Sequence, residues 1–450
     1  MNDGMKKFLI ILIAAITLSA TGIHAQDSTL QDLPAQWSLQ YCIEYAKKNN
    51  IQLNNLRLNS SSAEQDVLQA KAARYPSVSA SLSQSFVNGK KTDVVVGGLS
   101  SQANFSGNYG INSSVTLYNG GYINNNITAK QISLQSANLS VEETQNDITL
   151  NITESFLNIL LAQETIKYLE DVLVTSKAQL QQGQQRYDAG SISKKDFLQF
   201  EAQTASDEYN LVNAQNNYRL NVLTLKQTLQ LPSAYDFKIE APDNITVQEM
   251  IPNLASAQDA ALSTRPEIKN SQLGIDLAKT NLLLARSGTL PTVSLGANLA
   301  SGYANLSPDN KYFTQINNNF YQSLGLTVGI PIYSRRVNKT SIEKSKIAIE
   351  QAKLSLADTK LNLNTQLEQA YINVQNRQAQ YTAAEKQMKA TQDSYDITNE
   401  QLRLGAVNMV ELLQQKNQYV QALQSYIQAK YSAVLYNKIY NFYTGVPVSF

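Results

Sequence analysis

The chain is poor in the residues that most often carry chemistry: 450 residues hold one cysteine and one histidine. A single cysteine, Cys42, makes no disulfide framework, and its place inside a predicted helix marks it as a buried apolar side chain. The histidine, His24, falls in a segment read below as cleaved, so the mature chain has no imidazole. That removes the commonest general base and the commonest transition-metal ligand together. The expectation is a protein that is not an enzyme and carries neither metal nor cofactor. Net charge is lacking too: Lys and Arg number 37 against 36 Asp and Glu, and without Lys6, Lys7 and Asp3 the balance is 35 to 35. No basic surface is left for nucleic acid. Acidic residues fall along helical stretches at solvent-face spacing, with no pair placed as acid and base. Gly89-Lys90-Lys91-Thr92 has the ending of a phosphate-binding loop, but Gln84 stands where the first glycine is required. No clear helix follows, and the segment reads as an extracellular loop.

Long apolar runs are also missing. The chain opens with Lys6-Lys7, an apolar stretch from Phe8 to about Leu18, and small or polar residues through Ile23-His24-Ala25. This is the pattern of a secretory signal peptide over residues 1–25, too short to span a bilayer and without a stop-transfer sequence behind it. No cysteine marks the cleavage point, so no lipid anchor is indicated. Nothing else approaches the roughly 18 apolar residues of a membrane helix. If the protein enters a membrane, it does so by strands. Proline is scarce, ten in all, with none between Pro76 and Pro232 or between Pro331 and Pro447. Those stretches can hold helices far longer than three or four turns.

What is present is a repeat at one offset, 215 residues. Tyr75-Pro76-Ser77-Val78-Ser79 recurs as Leu290-Pro291-Thr292-Val293-Ser294, and Phe156-Leu157-Asn158-Ile159 as Tyr371-Ile372-Asn373-Val374. Gly190 recurs as Gly405, and Asp196-Phe197-Leu198-Gln199 as Glu411-Leu412-Leu413-Gln414. Two copies are too few for a solenoid, which needs about three to cover its core. The first repeat, 26–230, is expected to hold strands at about 76–88 and 105–118 and long helices at about 120–187 and 194–230. A linker rich in Pro and Asp covers 231–252. The second repeat, 253–450, is expected to hold strands at about 291–303 and 319–333 and long helices at about 335–402 and 409–442. Shorter helices at 38–49, 52–73, 254–262 and 267–287 precede the strands.

The long helices carry a register of alternating four- and three-residue steps. It starts Ile148, Ile152, Ser155, Ile159, Ala162 and ends Ser176, Leu180, Gly183, Tyr187; its partner starts Leu363, Leu367, Ala370, Val374 and ends Tyr395, Thr398, Leu402. A 3.5-residue period means left-handed coiled-coil packing. The 68 residues from Asn119 to Arg186 reach about 100 Å as a helix, the scale of the periplasm. Each long helix turns at Gly190 or Gly405, residues suited to left-handed backbone, and returns through the second.

The segments before them read as strands. Ser77, Ser79, Ser81, Ser83 and Ser85 alternate with Val78, Ala80, Leu82, Gln84 and Phe86, and similar alternation recurs around 111–117, 293–299 and 324–330. Polar loops are expected at 88–104 and 305–319. The pattern suits membrane-barrel strands, apolar toward lipid; a soluble sandwich explains the alternation but not strands at the roots of helices this long. Tyr75, Phe105, Tyr109, Tyr118, Tyr303, Phe320, Tyr321 and Tyr333 lie near strand ends, as interfacial girdles or as scattered packing aromatics. Four strands do not close a membrane barrel, whose smallest closed form has about eight. Open edges in lipid leave backbone unpaired, so copies must share one barrel: two with a packed interior, or three around a water channel.

Together, the signal peptide, the duplicated unit, the Tyr75-Pro76 and Pro331-Ile332-Tyr333 strand edges and the Gly190 and Gly405 turns with their following Asp196 and Glu411 resemble the outer membrane efflux protein family, the TolC-like outer membrane factors. The resemblance covers about residues 36–445. It implies an α+β fold: a trimeric channel-tunnel in which each chain gives four strands to a shared 12-stranded barrel and long helical hairpins to a periplasmic α-barrel. The function it implies is the outer membrane exit duct of a tripartite efflux system, docking on a periplasmic adaptor and, indirectly, an inner-membrane pump. A type I protein secretion duct is the alternative, and a periplasmic coiled-coil structural protein or adhesin the reading from another class. By position, Asp196, Glu411 and Gln414 match the family's pore constriction, with Gln414 where a second acidic ring is usual. The gating Tyr and Arg positions hold Leu402 and Val407, so part of the usual latch is missing. The adaptor-docking tip is implied at Tyr187, Gly190, Ser191, Leu402, Gly405, Ala406 and Val407. For Glu411 and Asp196 the plainer alternative is a solvated helix charge, with Asp196 paired to Lys194 or Lys195.

Overall fold

The computed structural model describes residues 33–92, 99–232, 234–242, 245–247, 252–305 and 311–448. The expected signal peptide lies outside them. Ser38 caps α1 (Leu39–Asn49), its hydroxyl accepting from the Tyr41 N–H. Asn50, with extended backbone, ends α1 and caps α2 (Ile51–Ala72) through the Leu53 N–H. Pro76 then starts a change to extended chain: β1 (Ser77–Thr92), followed by β2 (Leu99–Asn119). The first hairpin is α3 (Tyr122–Asp188) and α4 (Lys194–Thr228). After α5 (Leu254–Thr264) and α6 (Pro266–Ser287) come β3 (Thr292–Ala304), α7 (Tyr312–Asn318) and β4 (Tyr321–Gly329). The second hairpin is α8 (Val337–Arg403) and α9 (Met409–Tyr443). Outward helices α3 and α8 are 67 residues each, and return helices α4 and α9 are 35 each.

The four strands form one antiparallel sheet in the order β1-β2-β3-β4. Register pairs Val78 with Ser113, Ile111 with Leu299 and Val293 with Val328, so each face continues across all four strands, with one register shift in β2 between Thr116 and Tyr118. One face gathers Val78, Leu82, Ile111, Leu295, Leu324 and Leu326; the other gathers Ser81, Asn108, Asn112, Asn298 and Gly325. The apolar face lies bare, with Leu82 77% and Leu324 74% exposed. The outer edges of β1 and β4 run in opposite directions, and neither pairs with another strand among the described residues.

Three features differ from the sequence expectation. The ladder between β1 and β2 runs out to Thr92 and Leu99, so 89–92 and 99–104 are strand rather than loop. Gly89, Lys90, Lys91, Ala103 and Asn104 are weak strand formers, and continuous pairing with the facing strand overrides that preference. The loop expected at 305–319 holds α7 instead, tied back to β3 by Ser301 Oγ donating to Ile316 O at 2.6 Å and Ala304 N donating to Gln315 Oε1 at 3.0 Å. β4 ends at Gly329, short of the expected 333, because Pro331 has no N–H for the ladder.

The main core sits where the helices cross, well away from the strands. Trp37, Cys42, Ile43 and Ala46 pack on Ile148, Ile152, Phe156 and Ile159 of α3, with Leu225 of α4 and Ile427 and Val434 of α9. The linker joins this core: Trp37 exchanges backbone bonds with Lys238 O and Glu240 N, both at 2.9 Å, and Phe237 and Ile239 are buried.

Candidate functional site: the hairpin tips

Both outward helices end in the same hydrogen-bonded turn. At the first, Gly190 N donates to Tyr187 O at 2.9 Å and Ser191 N to Arg186 O at 2.8 Å. At the second, Gly405 N donates to Leu402 O at 3.1 Å and Ala406 N to Gln401 O at 2.9 Å. This pair of bonds is a Schellman closure, which requires left-handed backbone at the residue after the cap. Gly190 and Gly405 supply it with φ of 72° and 77°. Gly190, Ser191, Gly405 and Ala406 are exposed, and Val407 is half-buried.

The return helices start alike and then diverge. Ser193 and Asn408 each accept from the N–H three residues on, that of Asp196 and of Glu411. Asp196 completes a capping box: its Oδ2 accepts from the Ser193 N–H at 3.3 Å and the Ser193 hydroxyl at 2.8 Å. The carboxylate is therefore turned onto its own helix end, and neither Lys194 nor Lys195 pairs with it among the described residues. Glu411 makes no such return bond. It is exposed, on the same face of α9 as exposed Gln414, while Met409, Leu412 and Lys416 form the buried face.

The two tips are tied to each other. Phe200 of α4 and Met409 and Leu412 of α9 form a small apolar cluster, flanked by Leu180, Ile192, Tyr395 and Leu402. Leu402 thus packs between hairpins rather than standing on the free surface of the tip. Tyr187, at the edge of exposure, stacks on Phe197 with ring centroids 5.5 Å apart. Gly183 lies under Phe200; a Cβ there would stand 2.5 Å from the ring. Across the hairpins, Gln179 Nε2 donates to the Tyr395 hydroxyl at 3.2 Å, and burial raises that phenol above its usual range. On the surface beside the second turn, Arg403 hydrogen-bonds Glu400 and holds its carboxyl below the usual carboxylate range.

Sequence reasoning missed one group here, a buried ion pair. Lys416 Nζ of α9 lies 3.0 Å from Asp207 Oδ2 of α4, their side chains 3% and 6% exposed. The Ser176 hydroxyl of α3 donates to the same Asp207 oxygen and accepts from Lys416. Gln203 Nε2 donates to Asp207 Oδ1 at 2.9 Å, so both carboxylate oxygens are satisfied. Not every acid therefore lies at solvent-face spacing. The signal was present: Phe200, Thr204, Asp207, Leu211 and Ala214 step by four and three, which places Asp207 in a seam.

Among the described residues no cluster of His, Cys, Asp or Glu is placed to hold a metal ion, and no helix is long and apolar enough to cross a membrane. Comparison with known proteins accords with a duct. The chain is 21% identical over 430 residues to the outer membrane efflux protein BepC of Brucella suis biovar 1 (strain 1330), covering 94% of this chain and 88% of that one. It is 24% identical over 192 residues to the outer membrane protein TolC of Escherichia coli (strain K12), 42% of this chain and 39% of that one. The Campylobacter jejuni CmeC outer membrane channel has the same fold, with a TM-score of 0.76 at 18% identity over 90% of this chain and 86% of that one. The model of the outer membrane efflux protein family matches residues 42–229 and 257–435, one segment in each repeat, and the chain belongs to that family.

Proposed function

We propose that this chain is the outer membrane exit duct of a tripartite efflux system and acts as a passive conduit rather than an enzyme. The observation that carries the reading is a four-stranded sheet with a bare apolar face and two open edges, rooted on hairpins about 100 Å long. Lipid leaves the β1 and β4 edges unpaired, and β4 of one copy is antiparallel to β1 of the next, so three copies close twelve strands around water. Even β4, with nine residues, is long enough to cross the hydrocarbon when tilted. The segment 1–25 is the leader that directs export, and the two repeats follow it.

The helical hairpins continue the tube into the periplasm, and their tips meet an adaptor through Gly190, Ser191, Gly405, Ala406 and Val407, with Tyr187 and Leu402 supporting the turns from behind. Glu411 and Gln414 line the constriction, where three like charges in a narrow lumen favour cations. Asp196 contributes less, since its carboxylate is engaged at the helix cap. The test is mass measurement of detergent-purified protein followed by planar-bilayer conductance of wild type, Glu411→Gln and Asp196→Asn. Trimers whose cation preference falls in Glu411→Gln and changes less in Asp196→Asn are expected; a monomer or dimer would sink the proposal.

A further inference from the structure

The pair of Lys416 and Asp207 lies off the tip and the constriction, and it is the most deeply buried charged contact among the described ion pairs. It joins three helices from both repeats: Ser176 on α3, Asp207 on α4 and Lys416 on α9. Its neighbours along α9 are apolar, Met409 and Leu412 packed on Phe200. The hydrophobic effect is non-directional, so apolar burial by itself names no partner for a helix face. A buried charge that loses its partner is costly, so an ion pair in such a seam selects one register and one rotation.

Rotation matters because of what lies on the other side of α9. At 3.6 residues per turn, Glu411 lies about 140° around the helix from Lys416, and Gln414 about 160°. The anchor and the exposed polar pair therefore occupy opposite faces of one helix, within about two turns of each other. We propose that Lys416, Asp207 and Ser176 are positioning residues of the duct: the buried pair sets the rotation of α9 on the first hairpin and so aims Glu411 and Gln414 at the lumen. The proposal rests on the reading that Glu411 lines the constriction.

The experiment is single-channel conductance and reversal potential in planar bilayers under a KCl gradient, on purified full-length trimers. The variants are Glu411→Gln, Lys416→Arg, Lys416→Met and Lys416→Met/Asp207→Leu. Glu411→Gln is expected to lose cation preference while keeping one conductance level. Lys416→Met, with Glu411 intact, is expected to lose part of the preference and to split into several levels, and Lys416→Arg to restore a single wild-type level. If Lys416→Met gives no trimers, the double variant carries the test, since removing both charges leaves no lone buried ion. Wild-type level and preference in trimers of Lys416→Met, or of the double variant where the single gives none, beside a changed Glu411→Gln, overturn the positioning role and leave the constriction standing. An unchanged Glu411→Gln overturns the constriction and the positioning role with it. Absence of trimers from both charge-removing variants makes the group a folding requirement and equally overturns the proposal.

Discussion

At the scale of the residue, Gly183 and Cys42 make separate demands. The Phe200 ring occupies the space of a Gly183 side chain, and Phe200 is held from its other sides by Met409 and Leu412. Gly183→Ala is therefore expected to push the ring out of the cluster, a loss of about 1–3 kcal/mol by the usual cost of overpacking. A lowered denaturant midpoint checks it, and Phe200→Leu in the same chain should recover part of the loss. Cys42 is buried in the core, which pushes its thiol up to about 12. The thiolate is the reactive form, so the native protein should resist maleimide at pH 7 and label once unfolded. These two residues also mark what the sequence discloses. A lone cysteine among periodic apolar residues reads as buried. Gly183 was placed in the seam by its spacing, but nothing local announces that an aromatic ring from the other helix fills the gap. Asp207 is the same lesson with a charge: its partner Lys416 is more than two hundred positions away.

At the scale of the element, the repeat keeps its glycines at the two hairpin turns and loses them at the strand-to-helix joints. Gly190 and Gly405 close equivalent turns with no neighbour within 4 Å of an added Cβ. Replacing either with alanine thus costs only the left-handed conformation, about 1 kcal/mol, and the two variants are expected to lower the denaturant midpoint equally. A clear inequality would mean the turns differ in ways their hydrogen bonds do not record. The strand-to-helix joints behave differently. Gly120 and Gly121 take φ of 64° and 81°, and the equivalent positions in the second repeat are Arg335 and Arg336 at 46° and 69°. Gly120 is hemmed in, with Leu290 Cβ 2.8 Å from where its own Cβ would be. Strand ends were the least legible elements: long ladder pairing carried β1 and β2 into the expected loop, while Pro331 cut β4 short. Helix lengths were legible because proline is absent from both stretches and the seam register runs through 148–187 and 363–402 to the turns.

At the scale of the whole molecule, both hairpins have outward arms of 67 residues and return arms of 35. Each residue adds about 1.5 Å of height and about 100° of rotation, so one arm pair cannot change length without moving its tip and turning its buried face. A seven-residue step restores the facing seam. Removing seven residues from both arms of one hairpin is expected to leave trimers that insert in outer membranes yet fail to export, because its tips end about 10 Å short of the others. Removing seven from both arms of both hairpins keeps the tips level, and export should then return with an adaptor lengthened to match; its absence in cells carrying such an adaptor counts against the tips as the docking surface. The duct behaves as a ruler graduated in heptads. Relatives of this chain that differ in reach should differ by whole graduations, made twice over, once in each half of the gene.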